Sequence, residues 1–368
     1  MGNESSEELS IAQRLSLLHE VGEEVIEEEG QLKWLLGNRK HGEIIAYDGF
    51  EPSGRIHIAQ GLLRAINTNK LTKAGCKFIF LVADWHAAAN EKFGGDLDVI
   101  QKVGKYFIEV WKACGMDMEN VEFRWASELV EDPKYWEMVL KISMSSTLNR
   151  VKRCTQIMGR DDNYSLKASQ ILYPLMQTAD IFYLNADICQ LGLDQRKVNM
   201  LAREVIDAVG KNHKPVAIHH HMLMGLGKPP SDELDEVDRK IKRKMSKSDP
   251  NSAIFMLDSK KDIEKKIRMA WCPEYQVDEN PVLEYCKYII FERFDKIEIK
   301  RPEKYGGDVT YGSYRELEAA FDNGSLGAID LKNAVAQYLN DLLKPIRKYF
   351  EENEEAGKLL EFVKGLRK

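Results

Sequence analysis

The sequence predicts an α/β protein: a doubly wound parallel sheet followed by an α-helical domain. Two observations lead to this prediction. Short apolar runs alternate with stretches of helical periodicity between residues 43 and 220, and strands that alternate with helices form parallel sheets with right-handed crossovers. From residue 262 onward, only helical patterns and loops are recognised. Ligands of such sheets bind at the carboxyl ends of the strands, where functional residues are therefore expected.

The individual elements follow from local patterns. Residues 9–40 are charged and helix-like, with Leu9, Leu15, Leu18 and Val21 as an apolar stripe. Residues 77–84 (KFIFLVAD) form a compact apolar run, which is typical of a buried parallel strand. The predicted strands are 43–50, 77–84, 121–125, 185–191 and 215–220. The predicted helices are 58–73, 96–113, 135–147, 165–182, 195–209, 263–271, 281–291, 314–322, 331–349 and 355–366, with a polar loop at 153–164.

The chain of 368 residues is long enough for two or three domains. Its pattern changes after His221, where residues 225–238 are rich in Gly, Pro and Asp and residues 239–247 are basic. We therefore predict an N-terminal helical segment at 1–40, an α/β domain at 41–253 and a helical domain at 254–368.

Charge and cysteine content limit the partners and the compartment. The formal net charge of −6 excludes a basic field over the whole surface, so any nucleic-acid contact must come from local patches. The six cysteines form no C-x-x-C pair, which favours reduced thiols over disulfides or zinc. No apolar run is long enough to cross a bilayer, and the N-terminus lacks the apolar core of a signal peptide. These features predict a cytoplasmic protein that does not act on a membrane.

The first candidate motif is residues 54–60 (GRIHIAQ), where a predicted strand turns into a helix that starts near His57. A helix N-terminus offers unpaired N–H groups and a positive dipole end to a phosphate. Gly49 and Gly54 permit close approach of a nucleotide to the backbone, and His57 has an N–H donor for a phosphoryl oxygen. Taken alone, the segment is better explained as a surface turn with an incidental histidine.

The second candidate motif is residues 244–250 (KMSKSDP), between the two predicted domains. A basic run is usually a solvated linker. Here Met245 is expected to anchor the loop while Lys244 and Lys247 project on one side. A histidine at a helix start and two lysines on a mobile loop are suitable groups for stabilising a charged phosphoryl centre. The order and spacing of the two motifs favour this interpretation over the linker.

A third constellation lies on the helix predicted at 165–182. Tyr173, Gln177 and Asp180 fall at positions i, i+4 and i+7 and share one face of an otherwise apolar helix. Such polar groups must find partners or line a cavity. By itself the pattern is as consistent with a hydrogen-bonded core helix as with a binding pocket, and the other motifs favour the pocket.

Two further segments follow predicted strands. Residues 192–195 (GLDQ) open a helix, where Gly192 permits close approach of a nucleotide and Asp194 can accept from ribose hydroxyls. The alternative for Asp194 is an ordinary helix cap. His219, His220 and His221 are consecutive, and neighbouring strand residues point to opposite faces, so we expect no metal site there.

These segments together resemble the class I aminoacyl-tRNA synthetases, and over nearly the whole chain the tyrosyl-tRNA synthetases of the archaeal/eukaryotic type. The segments that carry the resemblance are 47–57 (YDGFEPSGRIH), 173–180 (YPLMQTAD), 192–197 (GLDQRK), 244–250 (KMSKSDP) and 300–308 (KRPEKYGGD). One departure is Gln60, where the family often has a second histidine, so an imidazole role is assigned to His57 only. The fold implied is a Rossmann-type catalytic domain that includes the KMSKS loop, followed by a helical anticodon-binding domain.

The resemblance implies a set of site residues. Asp180 and Tyr47 would bind the phenolic hydroxyl of tyrosine, and Tyr173, Gln177 and Gln195 its α-amino group. The implied catalytic residues are His57, Lys244 and Lys247. The implied ATP site comprises Gly49, Gly54, His57, Gly192, Asp194, Met222, Leu223, Lys244 and Lys247.

The resemblance also implies partners. Arg196 would contact the acceptor stem of tRNA(Tyr), Tyr305 would stack on the first anticodon base, and Asp330 would hydrogen-bond that base. The alternatives are a core tyrosine and an N-cap aspartate. The reaction expected is a tyrosine–tRNA ligase reaction in a homodimer, with ATP and Mg²⁺ as substrate and no prosthetic group.

Two rival functions are considered. A tryptophan-specific relative shares the fold and both signatures, but an indole offers no hydroxyl for Asp180. A catalytically silent RNA-binding protein on the same scaffold has no need of an intact His57, Lys244 and Lys247. Both alternatives are therefore less favoured than the tyrosine enzyme.

Overall fold

The computed structural model describes residues 9–158, 165–229, 239, 243–245 and 249–366. Its strands are β1 (Glu24–Ile26), β2 (Ile44–Phe50), β3 (Cys76–Val82), β4 (Val121–Trp125), β5 (Ile188–Gly192), β6 (Val216–His220), β7 (Ile297–Ile299) and β8 (Val309–Tyr311). The first six form one sheet in the order β1-β6-β5-β2-β3-β4. All its neighbours are parallel except β1 and β6, which pair antiparallel.

The helices lie on both sides of this sheet and continue beyond it. They are α1 (Ile11–Val21), α2 (Gln31–Asn38), α3 (Leu62–Lys73), α4 (Asp84–Ala89), α5 (Leu97–Ala113), α6 (Ala126–Val130), α7 (Pro133–Met144), α8 (Leu148–Cys154), α9 (Ala168–Tyr183), α10 (Arg196–Glu204), α11 (Lys260–Met269), α12 (Pro281–Tyr285), α13 (Tyr314–Asp322), α14 (Ala328–Glu352) and α15 (Glu354–Gly365). Within the described part of the chain, no helix combines the length and the apolar character that a membrane span requires. The α/β fold with a helical C-terminal region confirms the predicted fold class.

The sheet has a topological switch point between β5 and β2. The chain builds outward from β2 to β3 and β4 on one side, and from β5 to β6 on the other. The carboxyl ends of β2 and β5 therefore diverge and leave a crevice, which is where open α/β sheets bind ligands.

The N-terminal segment is not purely helical, which corrects the prediction for residues 1–40. Between α1 and α2, strand β1 adds to the edge of the sheet, with Glu24 opposite His219. The three residues of β1 are only partly buried. A strand this short with no alternation gives no local signal, because it exists through its pairing with β6.

The loop predicted at 153–164 is also corrected in part. Helix α8 extends through Cys154, and residues 155–158 form a 3₁₀ turn, whereas residues 159–164 lie outside the described residues. Thr147 caps α8 by accepting from the Arg150 N–H at 3.2 Å. The Arg150 side chain then bonds Glu204 on α10 at 2.8 Å, so a polar-looking segment is held as a helix by distant contacts.

The helical domain contains a two-stranded sheet that the sequence pattern did not predict. Strands β7 and β8 pair antiparallel, with Ile297 and Ile299 buried and Glu298 exposed between them. The connection passes through Gly306 at φ 94° and Gly307 at φ 71°, a conformation that favours glycine. Alternation over three residues is too short to be recognised as a strand.

The helical domain packs directly on the α/β domain. The rings of Tyr106 on α5 and Phe350 on α14 lie 5.8 Å apart, and the Tyr349 hydroxyl donates to Glu109 Oε2 at 2.5 Å. The backbone of Ile254 accepts from the N–H of Ile58 at 2.9 Å. The boundary at 253/254 remains a prediction, and the apolar core continues across it.

We expect Gly104→Ala to destabilise the protein, because a Cβ on α5 would lie 2.8 Å from Trp125 Cη2 and 2.8 Å from Val82 Cγ1. Overpacking of this kind costs about 1–3 kcal/mol. The matched control is Gly37→Ala on α2, where the nearest atom to the added Cβ is Ile11 Cδ1 at 3.6 Å. That substitution should stabilise by up to about 1 kcal/mol through helix propensity. Denaturant unfolding of both variants tests the packing, and equal stabilities would contradict it.

Candidate active site

A cleft of about 490 Å³ opens at the carboxyl ends of β2, β5 and β6, at the switch point. Most of the predicted small-molecule residues meet there. Those lining the cleft are Tyr47, Gly49, His57, Tyr173, Gln177, Asp180, Asp194, Gln195, Met222, Leu223 and Lys244. Gly54 and Gly192 are not among the lining residues, and Lys247 lies outside the described residues.

The closed end of the cleft is built around the buried carboxylate of Asp180 on α9. Oδ1 accepts from the Tyr135 hydroxyl at 2.8 Å, and Oδ2 lies 3.0 Å from His86 Nε2. Tyr47 on β2 is buried beside them. Burial and then the nearby Asp180 carboxylate raise the pKa of the Tyr47 hydroxyl well above its ordinary value, so that hydroxyl is a neutral donor and acceptor.

His86 is the buried partner of Asp180 on the other side from Tyr135. Burial lowers the pKa of His86, but Asp180, Glu51 and Asp84 together outweigh it and hold this pKa above the ordinary value. The imidazole and the carboxylate both lie in a region shielded from solvent. Such an end can accept a hydrogen bond from a neutral hydroxyl of a ligand.

The side wall of the cleft is polar, and it includes the ion pair of Lys92 Nζ with Glu51 Oε2 at 3.4 Å. Gln177 Nε2 donates to Gln195 Oε1 at 3.1 Å, which links α9 to the turn after β5. The Tyr173 hydroxyl bonds the Glu51 carboxylate, and burial followed by that carboxylate raises the pKa of Tyr173 well above its ordinary value. Carbonyl, hydroxyl and carboxylate oxygens in this arrangement suit a ligand ammonium group. The three-residue face of α9 therefore lines a cavity.

His57 lies at the opposite end of the cleft, but it does not start a helix as predicted. Helix α3 begins five residues later, at Leu62. The reason is long-range pairing: Ile58 N–H donates to Ile254 O at 2.9 Å, and Met256 N–H donates to Ile56 O at 3.0 Å. These bonds hold His57 in a β-bridge with Phe255, and the chain then turns, with the His57 carbonyl accepting from the N–H groups of Gln60 and Gly61 at 2.9 Å. The side chain of His57 is buried and faces the cleft.

The three predicted glycines have different local reasons. Gly54 turns at φ 97°, which favours glycine. A Cβ on Gly49 would stand 2.7 Å from the Tyr47 hydroxyl, and one on Gly192 would stand 2.6 Å from Asp194 Oδ1. Gly49 and Gly192 thus make room for the cleft side chains of this chain, besides any room for a nucleotide.

Lys244 closes the nucleotide side of the cleft. Its Nζ bonds Asp194 Oδ2 at 2.6 Å, and its backbone forms a β-bridge with Met224. Burial raises the pKa of Asp194, but the Lys244 ammonium outweighs it and holds that pKa below the ordinary value. Asp194 is therefore an ionised partner of Lys244; its side chain has no recorded role as a cap of the following helix.

Five residues of the cleft and its immediate surroundings escaped the sequence analysis. They are Asp48, Glu51, Arg64, His86 and Tyr135. Arg64 forms a buried ion pair with Asp48, and burial lowers its pKa to about 10 although Asp194 opposes this. Asp48 and Arg64 could have been recognised from the sequence, because each is a charged residue inside an otherwise apolar strand or helix. His86 follows β3, so the strand-end rule pointed to it, whereas Tyr135 carries no local signal.

The predicted RNA contacts lie outside the cleft. Arg196 Nε donates to both carboxylate oxygens of Glu24 at 2.9 Å. Tyr305 ends a 3₁₀ turn at Glu303–Tyr305. Asp330 lies in the first turn of α14, whose N-cap is Gly327 without a side-chain cap. The cap role considered for Asp330 is therefore wrong, because the N-cap lies three residues earlier, at Gly327.

The three consecutive histidines point to separate partners. His219 Nδ1 lies 2.7 Å from Glu24 Oε2, His220 Nδ1 lies 2.6 Å from Gln190 Nε2, and His221 Nδ1 lies 3.0 Å from Glu23 Oε2. In the described ranges, no group of three His, Cys, Asp or Glu side chains is arranged to hold a metal ion. The six cysteines are buried free thiols.

One arm of the cleft thus offers oxygens and a buried carboxylate, and the other offers His57 and Lys244. This division suits a reaction between an amino acid and a nucleotide, which is the chemistry of the class I aminoacyl-tRNA synthetases. A family model for class I tRNA synthetases (W and Y) matches residues 39–344, and the chain belongs to this family.

The relatives place it among tyrosine enzymes. Over its full length the chain is 48% identical to tyrosine–tRNA ligase 1, cytoplasmic, of Arabidopsis thaliana, and spans 91% of that protein. It is 40% identical to the Pyrococcus horikoshii tyrosyl-tRNA synthetase solved with L-tyrosine (TM-score 0.89; 97% of this chain, 100% of that one). It is 46% identical to the Leishmania major enzyme solved with tyrosinol (TM-score 0.88; 98% of this chain), of which it spans only 61%. These findings confirm the resemblance drawn from the motifs.

The ion pair of His86 and Asp180 predicts a pH-dependent stability. Because the pKa of His86 is raised in the folded state, the stabilisation is complete below the unfolded value and is lost as pH rises through the raised value. His86→Gln should therefore cost about 3 kcal/mol at about pH 6, and clearly less at about pH 9. Urea unfolding at the two pH values measures this.

The control for this prediction is His19→Gln, which replaces an exposed histidine on α1. It should leave stability unchanged at both pH values. A loss in His86→Gln that is equal at both pH values would show that His86 contributes packing and no charge.

Proposed function

We propose that this chain is a tyrosine–tRNA ligase that activates tyrosine with ATP to tyrosyl-adenylate and transfers the tyrosyl group to the 3′-terminal ribose of tRNA(Tyr). The observation that carries the proposal is the buried Asp180 carboxylate, held between Tyr135 and His86 at the closed end of the cleft. It lies beside Tyr47 and on the same helix face as Gln177, which directs a bound amino acid with its hydroxyl inward. The enzyme class itself follows from the family and the named relatives.

Tyrosine would bind along α9. Its phenolic hydroxyl donates to Asp180 and meets Tyr47, while its ammonium group lies among Tyr173, Gln177 and Gln195. This orientation leaves the tyrosine carboxylate facing the arm of the cleft that contains His57 and Lys244. An analogue without the hydroxyl leaves the buried Asp180 without a ligand donor, which is costly.

During adenylate formation, the tyrosine carboxylate attacks the α-phosphorus of ATP and pyrophosphate leaves, so negative charge develops on the α-phosphoryl oxygens and on the leaving pyrophosphate. His57 donates to a phosphoryl oxygen, and Lys244 and Lys247 supply positive charge on the leaving side. The bond between Lys244 and Asp194 must open or be shared with the ribose when ATP enters. ATP arrives as its Mg²⁺ complex, so the ion is part of the substrate, and the proposal includes no prosthetic group.

The nucleotide would follow the carboxyl ends of β5 and β6. Asp194 accepts from the ribose hydroxyls, and the backbone of Met222 and Leu223 borders adenine. Gly49, Gly54 and Gly192 keep the route clear of side chains.

The tRNA would contact both domains. Arg196 lies beside the cleft at the start of α10, where the acceptor end must arrive, and it is held there by Glu24. The turn that carries Tyr305 is tied to the segment before α14, because Arg301 Nη1 donates to Ser325 O at 2.8 Å. This bond supports the proposal that Tyr305 and Asp330 belong to one site that binds the anticodon.

We propose three domains, at residues 1–40, 41–253 and 254–368. We also propose a cytoplasmic location, as in the name of the Arabidopsis relative.

ATP–pyrophosphate exchange tests the function. We expect exchange with tyrosine and none above background with phenylalanine or tryptophan, because only tyrosine donates a hydroxyl to Asp180. Tyrosyl-tRNA synthetases are themselves the documented example of roughly 10⁵-fold rejection of phenylalanine. Exchange supported by tryptophan but not by tyrosine would overturn the proposal in favour of the tryptophan-specific alternative.

The homodimer expected from the family is supported by one face of α7. Trp136, Leu140 and Met144 form an i, i+4 stripe that continues to Leu148, and the last three are 59, 79 and 66% exposed. A stripe on one helix can pair with the same stripe on a second copy about a twofold axis. The same helix carries Tyr135, so the proposed interface lies directly behind the tyrosine pocket.

Leu140→Glu should convert the dimer to a monomer, because a buried unpaired carboxylate would face its own copy across the twofold axis. Sedimentation velocity at several concentrations measures the change. The control is Met269→Glu, at an equally exposed apolar residue on α11, which should remain dimeric. A wild-type protein that sediments as a monomer, or a Leu140→Glu variant that stays a dimer, would reject this interface.

A further inference from the structure

His221 occupies a junction that the proposed reaction does not use. It follows the last residue of β6 and is 12% exposed at the edge of the cleft. Its Nδ1 lies 3.0 Å from Glu23 Oε2, and its Nε2 lies 3.1 Å from Glu284 Oε2. Glu23 belongs to the N-terminal segment before β1, and Glu284 to α12 of the helical domain.

Two carboxylates flank the ring, and a pair of negative charges at this distance favours the imidazolium over the neutral imidazole. The Nδ1 contact with Glu23 has hydrogen-bond geometry, whereas Nε2 and Glu284 are at ion-pair distance without it. Burial lowers the pKa of His221, but the carboxylates of Glu23 and Glu284 outweigh this and raise the pKa to about 9. The ring also stacks on Tyr288, with centroids 4.3 Å apart and planes 10° apart.

The same carboxylate reaches the nucleotide loop. Glu284 Oε2 accepts from the Met224 N–H at 2.9 Å, and the Tyr285 hydroxyl donates to Met224 O at 2.9 Å. Helix α12 therefore binds both the backbone N–H and the backbone carbonyl of Met224. Met224 follows directly after Met222 and Leu223, which border the adenine site of the proposed function.

The loop in turn positions Lys244. Met245 N–H donates to Leu223 O at 2.9 Å, and Gly225 N–H donates to Arg243 O at 2.9 Å. Lys244 lies between these two bonds and carries its ammonium to Asp194 at 2.6 Å. A continuous set of polar contacts thus begins with the ion pair of His221 and Glu284 and runs through the loop to the lysine of the cleft.

We propose that His221 is a positioning residue: as an imidazolium held between Glu23 and Glu284, it fixes the loop 222–225 and so sets the affinity for ATP. The proposal rests on the proposed function for the identity of the nucleotide. It gives the helical domain a role in the ATP site, because Glu284 is the residue through which His221 and Met224 are joined.

The first test compares nucleotide and amino-acid affinity in His221→Phe. Phenylalanine keeps a ring for stacking on Tyr288 but carries no charge, so Glu284 loses its cationic partner and keeps only the Met224 N–H. We expect the Kd for ATP with Mg²⁺, measured by calorimetry, and the KM for ATP in exchange to rise about tenfold, the effect of losing a charged hydrogen bond. The KM for tyrosine should stay within about twofold. An unchanged ATP affinity, or an equal rise of both KM values, would overturn the proposal.

The second test uses Glu284→Gln and the double variant. Glu284→Gln should also lower the affinity for ATP. The double variant should bind ATP no more weakly than the weaker single variant, because both substitutions remove the same ion pair. Full additivity would overturn the proposal. The matched control is Glu292→Gln, which removes a contact between domains, the 2.8 Å pair with Lys70, and should leave ATP affinity unchanged.

The third test uses pH and needs no variant that might misfold. Glu23, Glu284 and Tyr288 face the His221 ring, with His220 next along the chain and Lys287 beside the Tyr288 ring. Wild-type affinity for ATP should fall as pH rises through about 9, where the imidazolium loses its proton. The same pH dependence in His221→Phe would overturn the proposal. If wild type binds ATP yet exchanges no pyrophosphate with tyrosine, the proposed function fails, while the ATP titrations still decide the role of His221.

Discussion

The backbone pairing of residues 56–58 with residues 254–256 is the constraint on which the cleft depends. The two bonds, Ile58 N–H to Ile254 O and Met256 N–H to Ile56 O, join segments about two hundred residues apart in the chain. They keep His57 in a β-bridge at the mouth of the cleft and delay α3 until Leu62. Met256 then packs against Gly61 so closely that a Cβ there would stand 2.3 Å from its sulfur. Residues 254–256, which follow the KMSKS motif in the chain, are thereby fixed to the first candidate motif.

The second organising feature is the separation of charge along the cleft. The buried Asp180 carboxylate lies against His86 and Tyr135, so the closed end can accept a hydroxyl proton. The far end is cationic, but Lys244 is balanced by Asp194 and Arg64 by Asp48. Each cation is therefore held in place by a carboxylate before any nucleotide binds. Pre-positioned charges of this kind stabilise a developing phosphoryl charge with little reorganisation.

The sequence predicted the parts of this structure that have local causes. The parallel strands appear as apolar runs, and the face of α9 appears as the spacing of Tyr173, Gln177 and Asp180, so both were accessible from pattern. What escaped prediction depends on partners distant in the chain. Strand β1 exists because β6 accepts it, and Tyr135 belongs to the site because α7 packs on α9. The β-bridge of His57 has the same cause. The resemblance of the motifs to a known family supplied residue roles that the physical argument left open. For Asp194, that argument allowed either a bond to ribose hydroxyls or a helix cap.

The contacts of the helical domain alter how the two domains should be regarded. An anticodon-binding domain that merely carried RNA contacts could be joined to the catalytic domain by a flexible linker. Here it shares an apolar core with α5, and it places Glu284 and Tyr285 on both polar groups of Met224. Because Met224 pairs with Lys244, the geometry of the phosphate arm is defined only when α12 is docked. Residues on both sides of the predicted boundary at 253/254 therefore position the proposed ATP site.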